Sequence, residues 1–150
     1  MRRVLRLGLA GVVAVGVLAG AALAGDQPKA PSITCPVSGG PASKDVSADY
    51  RGGQVCFCCP GCIPKFQQDP TKFAVKANLQ LAATGQAVQK ACPLTGGKVN
   101  PATAIKVGGV SVGFCCGRCK GKVAEADAKS QLDMVFSNKA FDKAFTVKKD

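Results

Sequence analysis

A spacing of cysteines that occurs twice constrains this chain more than any other feature. In the first copy, twenty-two residues separate Cys35 from Cys58, and three more separate Cys58 from Cys62. The second copy repeats both intervals at Cys92, Cys115 and Cys119. Repetition at fixed intervals indicates a duplicated unit. The chain is therefore expected to bring the same set of thiols together twice.

The repeat extends beyond these cysteines. At an offset of 57 residues, segments 35–65 and 92–122 share eleven identities. Each begins with Cys-Pro-x-Ser/Thr-Gly-Gly, and each has a second cysteine directly after its central one. Cys56 is not repeated, because its counterpart is Gly113, and we interpret it as a strand residue. The repeated thiols, which are the candidate metal ligands, are Cys35, Cys58, Cys59, Cys62, Cys92, Cys115, Cys116 and Cys119.

The composition favours small modules that need additional stabilisation. The chain has 150 residues, with nine Cys, eighteen Gly, seven Phe, one Tyr and no Trp. Small chains with few large apolar residues are often stabilised by metals or disulfides. There is no His, so the commonest general base and the imidazole metal ligand are both missing. We predict a thiolate-rich metal site and no enzymatic activity.

The N-terminal segment predicts export. Basic residues precede an apolar run, and Ala22-Leu23-Ala24 matches the small-residue pattern that signal peptidases cleave. We interpret residues 1–24 as a signal peptide cleaved after Ala24, and residues 25–31 as a linker. The mature protein is then expected to be periplasmic or secreted, without a membrane span. Oxidising compartments favour disulfides, so thiolate sites there must be kept reduced.

The charge is strongly basic but dispersed. The formal net charge is +11, and removal of the three leader arginines leaves 11 − 3 = +8. The lysines form no block and alternate with no stacking aromatic residues. Nucleic-acid sites combine basic patches with such aromatics. We therefore expect a solvated basic surface, with a metal ion and not nucleic acid as the partner.

Each repeat has the order of a treble-clef-like zinc finger: a cysteine-bearing turn (the knuckle), a hairpin, then cysteines at a helix start. The predicted hairpin spans 50–55 and turns at Gly52-Gly53, after a polar loop at 41–49. A first helix is predicted from Cys62 to about Gln68, and a second from an Asp69 cap to Ala77. In the second copy, Asp127 is predicted to cap one helix, and Ser137 or Asn138 another that carries Phe141 and Phe145. The predicted fold is a small, metal-stabilised α+β protein with two tandem modules, at 32–77 and 92–147, joined by a linker or strand at 78–91.

The first module resembles the YHS and TRASH families of small metal-binding modules. The resemblance rests on Phe57-Cys58-x3-Cys62-x3-Phe66-x3-Pro70-x2-Phe73 and on the Cys35-x22-Cys58-x3-Cys62 spacing. It implies a treble-clef-like fold and Cys35, Cys58 and Cys62 as ligands, with Cys59 as an additional thiol suited to be the fourth. It also implies a role in heavy-metal handling, with a metal-transport or metal-sensing protein as partner.

Three interpretations of the cysteines remain open. Thiolates at a knuckle and a helix start suit Zn, and they also suit Cu(I). The protein would then bind these metals for structure, buffering or heavy-metal handling. Alternatively, the cysteines form a disulfide framework, as in many small exported proteins. A third interpretation is thiol–disulfide exchange by Cys59-Pro60-Gly61-Cys62 and Cys116-Gly117-Arg118-Cys119.

Overall fold

In each repeat, the knuckle comes first along the chain and the two-stranded hairpin follows it. A computed structural model describes residues 33–148. The predicted signal peptide and the 25–31 linker lie outside the described residues. Within 33–148, no helix combines the length and the apolar character needed to cross a bilayer.

The described part of the chain is a small α+β structure, which confirms the α+β class of the predicted fold. It contains five helices and three antiparallel sheets of two strands each. The elements of the first repeat are β1 (Ser43–Tyr50), β2 (Gly53–Phe57), α1 (Cys62–Gln68), α2 (Ala74–Ala83) and β3 (Ala87–Gln89). Those of the second are β4 (Asn100–Val107), β5 (Val110–Phe114), α3 (Gly117–Ala124), α4 (Ala128–Phe136), α5 (Asn138–Ala144) and β6 (Phe145–Val147).

The hairpin is longer than predicted. Most of the segment predicted as a polar loop is strand β1, and the turn falls at Arg51-Gly52 instead of Gly52-Gly53. No residue of β1 is fully buried, so this strand lacks the strong apolar alternation by which strands are recognised. The register of β1 on β2 shifts between Ser43 and Ser47, and β4 shifts against β5 in the same way.

Some helix boundaries also differ from the prediction. Residues 70–73 form turns, and α2 begins at Ala74 and continues to Ala83. Asp69 instead accepts a hydrogen bond from the Lys72 amide within that turn, at 3.1 Å. Helix α2 extends into the predicted linker because its last turns are buried in the core.

The C-terminal helices follow the predicted caps more closely. The Asp127 side chain accepts hydrogen bonds from the Lys129 and Ser130 amides, as expected of an N-cap. Helix α5 follows Ser137, as predicted, but Phe145 belongs to β6 and not to the helix. Its ring stacks on Phe141 with centroids 5.0 Å apart.

The two repeats share one hydrophobic core. Phe57 and Phe114, at the ends of β2 and β5, are both fully buried in it. Helix α2 packs against α4, and β3 pairs with β6, so each repeat contributes a helix and a strand to the junction. Arg51 also reaches across to form an ion pair with Asp142.

Two glutamines at this junction, both in elements of the first repeat, hold the two strands that lead to the clustered cysteines. Gln80 in α2 donates to the carbonyls of Thr34 and Cys56, at 2.9 and 3.0 Å, and accepts from the Cys56 amide. Gln89 in β3 holds β5 of the second repeat: its side chain donates to the Gly113 carbonyl and accepts from the Gly113 amide, at 2.7 and 2.9 Å. The two glutamine side chains thereby fix the backbone of Cys56 and of Gly113, each two residues before the central cysteine of its repeat.

Substitution of Gln80 by Leu should destabilise the protein by about 2 kcal/mol, because it leaves buried backbone groups of Cys56 without a partner. Chemical unfolding of the reduced protein measures the change. The matched control is Gln67→Leu, since Gln67 is exposed on α1. An equal loss in the two variants would contradict the role assigned to Gln80.

Candidate metal centres

Each knuckle is a backbone turn in which the amide and the carbonyl of the cysteine both form hydrogen bonds with the glycine pair that follows. The Cys35 amide donates to the Gly40 carbonyl at 2.7 Å, and the Gly39 amide donates to the Cys35 carbonyl at 2.8 Å. The corresponding bonds of Cys92, to Gly97 and from Gly96, measure 2.9 and 2.7 Å. Gly39 and Gly96 have φ of 78° and 79°, a left-handed conformation that glycine adopts without strain. The turn therefore requires glycine at this position.

Each knuckle cysteine meets two cysteines from the far end of the hairpin. The sulfurs of Cys35, Cys58 and Cys62 all lie within 4.8 Å of one another, and we call this group the first triad. Cys58 follows β2, and Cys62 opens α1. The second triad meets the same criterion and consists of Cys92, Cys115 and Cys119.

The triads are buried on one side and open on the other. Cys35 is 0% exposed and Cys62 7% exposed, whereas Cys58 is exposed. In the second triad, Cys92 and Cys119 are likewise buried. Cys115, the third member of that triad, is half-buried, so each triad has two buried cysteines and one that is more accessible to solvent.

The remaining repeated thiols lie beside the triads. Cys59 Sγ is 3.7 Å from the sulfurs of both Cys58 and Cys62. Cys116 Sγ is 3.8 Å from that of Cys115. Both residues are exposed, and neither belongs to the group of mutually close sulfurs.

A hydroxyl group contacts the central cysteine of each triad. Ser38 Oγ lies 3.2 Å from Cys58 Sγ, and Thr95 Oγ1 lies 3.3 Å from Cys115 Sγ. Each hydroxyl also accepts a hydrogen bond from the second glycine amide of its knuckle, Gly40 or Gly97. Such contacts to ligand atoms commonly tune metal affinity.

The knuckle thiols are the acidic members of the triads. Burial by itself raises the pKa of Cys35, but hydrogen bonds from Ser38 and from backbone groups outweigh it and lower the pKa to about 6. The pKa of Cys92 is likewise about 6, because hydrogen bonds from Thr95 and the backbone outweigh burial. These thiols can carry negative charge at neutral pH.

The helix thiols are shifted in the opposite direction. The hydrogen bond with Cys58, followed by burial, raises the pKa of Cys62 to about 12. Burial, followed by the hydrogen bond with Cys115, raises the pKa of Cys119 to about 12. Each triad therefore pairs a knuckle thiol that favours the thiolate with a helix thiol that keeps its proton near neutral pH, and a bound cation would displace that proton.

The sequence indicated part of this site. Cys56 lies in β2 outside the triad, in agreement with its interpretation as a strand residue. The hydroxyls of Ser38 and Thr95 were not identified as neighbours of the sulfurs, although the Ser/Thr position is repeated in both knuckles. Gln80 and Gln89 gave no signal, because they do not occupy equivalent positions in the repeat.

Comparison with known proteins provides no assignment: no protein-family model, no curated protein and no solved structure matches the chain.

Stability of the reduced, metal-free protein should depend on pH through these thiols. Because the pKa values of Cys35 and Cys92 are lowered to about 6 on folding, their contribution is present above the ordinary thiol pKa and is lost as the pH falls through 6. For Cys62 and Cys119 the pKa values are raised to about 12, so their contribution is present below the ordinary value and is lost as the pH rises towards 12.

The free energy of unfolding should therefore rise from pH 6 to about 9 and fall above that. Urea unfolding at several pH values, with reductant and chelator present, tests this profile. The absence of His leaves few other groups that titrate in the lower range. The double variant Cys35→Ser/Cys92→Ser should lose most of the rising limb, and the remainder comes from Cys59 and Cys116, whose pKa values are also lowered by hydrogen bonds. A profile with the same slope in that variant would contradict the assignment.

Proposed function

We propose that this protein binds two thiophilic metal ions, Zn or Cu(I), one at each cysteine triad, and that it buffers or handles the metal without catalysis. The observation that carries the proposal is the convergence of three sulfurs from a knuckle and a helix start, in two copies. Thiolate sulfur is the ligand that both metals accept readily.

The sulfur spacing supports this proposal. Four sulfurs held tetrahedrally at about 2.3 Å from zinc would be about 3.8 Å apart. The measured separations from Cys62 to Cys58 and Cys59 are 3.6 and 3.7 Å, and that from Cys115 to Cys119 is 3.6 Å. Cys59 and Cys116 are the proposed fourth ligands, because each lies within 3.8 Å of a triad sulfur. Neither lies within 4.8 Å of all three sulfurs of its triad, so each would move closer to the remaining sulfurs when a metal binds.

The alternative interpretations account for fewer of these features. All nine cysteines are unbonded, and a disulfide requires sulfurs about 2.05 Å apart. Thiol–disulfide exchange would use the Cys59–Cys62 pair but has no role for the buried knuckle thiol Cys35. Metal binding uses all three sulfurs of each triad.

The remaining features of the proposal rest on the sequence. We infer that each repeat is a treble-clef-like module related to the YHS and TRASH families, because knuckle, hairpin and helix occur in that order. The leader at residues 1–24 supports export to the periplasm or the exterior. A metal-transport or metal-sensing protein is then the proposed partner.

The reduced protein should bind two zinc ions per chain, and each triad should lose one ion when its knuckle cysteine is replaced. We expect a stoichiometry of about one for Cys35→Ser and for Cys92→Ser. Elemental analysis beside a competition titration measures it. Cys56→Ser is the matched control, since this buried thiol lies outside both triads, and it should retain both ions. No bound metal, or an equal loss in the control, would contradict the proposal.

Cobalt substitution tests the fourth ligand. If Cys59 completes the first site, Cys59→Ser should weaken the sulfur-to-cobalt absorption of that site and lower its affinity at least about tenfold, because a thiolate ligand is lost. The measurement is best made in a Cys92→Ser background, which leaves one site. An unchanged spectrum and affinity would show that three sulfurs suffice.

A further inference from the structure

A concave surface lies beside each knuckle. The first knuckle pocket, about 350 Å³, has apolar walls formed by Pro36, Phe73 and Leu132. The second, about 280 Å³, has walls formed by Pro93 and Met134. Pro36 and Pro93 directly follow the knuckle cysteines and are buried, whereas the other apolar residues are half-buried. Both pockets thus touch the segments that carry Cys35 and Cys92.

Each pocket is bordered by three lysines. They are Lys72, Lys76 and Lys129 in the first pocket and Lys122, Lys139 and Lys143 in the second. The first pocket also contains one carboxylate, Asp133, and no acidic residue lines the second. Across residues 33–148, Arg51–Asp142 is the sole ion pair. These lysines therefore have no carboxylate partner within the described part of the chain.

The lysines lie close to the apolar walls. The Lys72 ammonium lies over the Phe73 ring, 5.8 Å from its centroid. Lys143 donates a hydrogen bond to the Leu94 carbonyl of the second knuckle, at 3.1 Å. Each pocket thus combines an apolar wall with a cationic border, which suits a ligand that carries an apolar group among negative charges.

The two pockets have similar chemistry, but the lysines that border them do not occupy equivalent positions in the two repeats. At the repeat offset, Lys139 and Lys143 align with Ala82 and Gln86, and Lys76 aligns with Asp133. The three-lysine border is therefore assembled from different positions beside each knuckle. Duplication by itself does not account for this likeness.

We propose that both knuckle pockets are docking sites for acidic segments of a partner protein, each segment presenting an apolar side chain between carboxylates. The three unpaired lysines complement the carboxylates of such a segment, and the half-buried apolar wall complements its apolar side chain. A nucleic acid would favour a continuous basic track with stacking aromatics, whereas these cavities are separate and their walls are largely aliphatic. That the partner exchanges metal with the adjacent triads rests on the proposed function.

The test uses a fluorescein-labelled peptide, Glu-Asp-Glu-Leu-Phe-Glu-Asp-Glu, titrated against the full mature chain with and without zinc. We expect two peptides per chain for the unaltered protein. Lys72→Glu/Lys129→Glu and Lys122→Glu/Lys139→Glu should each bind one. The matched control is Lys44→Glu/Lys106→Glu, with the same change in charge on β1 and β4, outside both pockets. It should bind two, with affinity within about threefold of the unaltered protein.

Several results would overturn the proposal. They are no peptide binding, an equal loss in the control, or equal binding of a peptide with Ser-Ser in place of Leu-Phe. Tighter binding of a single-stranded DNA of equal charge, lost in the same lysine variants, would assign the pockets to nucleic acid. Circular dichroism checks that each variant folds. Because zinc stoichiometry is measured on the same samples, loss of metal binding with peptide binding intact would reject the metal proposal alone.

Discussion

The structure depends on the closed turn at each knuckle. Two backbone hydrogen bonds fold Cys35 against Gly39 and Gly40, and the same bonds fold Cys92 against Gly96 and Gly97. The turn holds the knuckle sulfur close to the two cysteines that lie at the end of the hairpin and at the start of the helix. Without it, the acidic thiol of each triad would lack the hydrogen bonds that keep its pKa near 6, and the sulfurs would not converge.

Packing at the junction of the repeats supports this local geometry. Gln80 and Gln89 tie the ends of β2 and β5 to elements that lie at the junction, so the strand carrying each central cysteine is fixed by the shared core. Phe57 and Phe114, at the ends of the same strands, are fully buried in that core. The exposed sulfurs can thus be positioned by a rigid interior while remaining accessible to an incoming ion.

Sequence reasoning was most successful where chemistry is local. The cysteine repeat predicted two sets of four thiols, which include the members of both triads. Helix α1 was predicted at the correct residues, and Asp127 was identified as a helix cap. It was wrong about β1, whose half-exposed residues show little apolar alternation, and about the start of α2, which Asp69-Pro70 suggested four residues too early. The lengths of β1 and α2 are set by pairing and burial, which residue-by-residue preferences do not encode.

The sequence by itself determined that two equivalent sets of thiols exist and that no imidazole accompanies them, because spacing and composition are properties of the chain alone. Only the tertiary structure decided how the sulfurs of each set are arranged. Three sulfurs lie within 4.8 Å of one another, whereas Cys59 and Cys116 lie beside these groups, each within 3.8 Å of a triad sulfur. The tertiary structure also decided that lysines from separate helices meet beside each knuckle. Contacts between residues distant in the chain depend on how the helices pack, and no spacing rule specifies that packing.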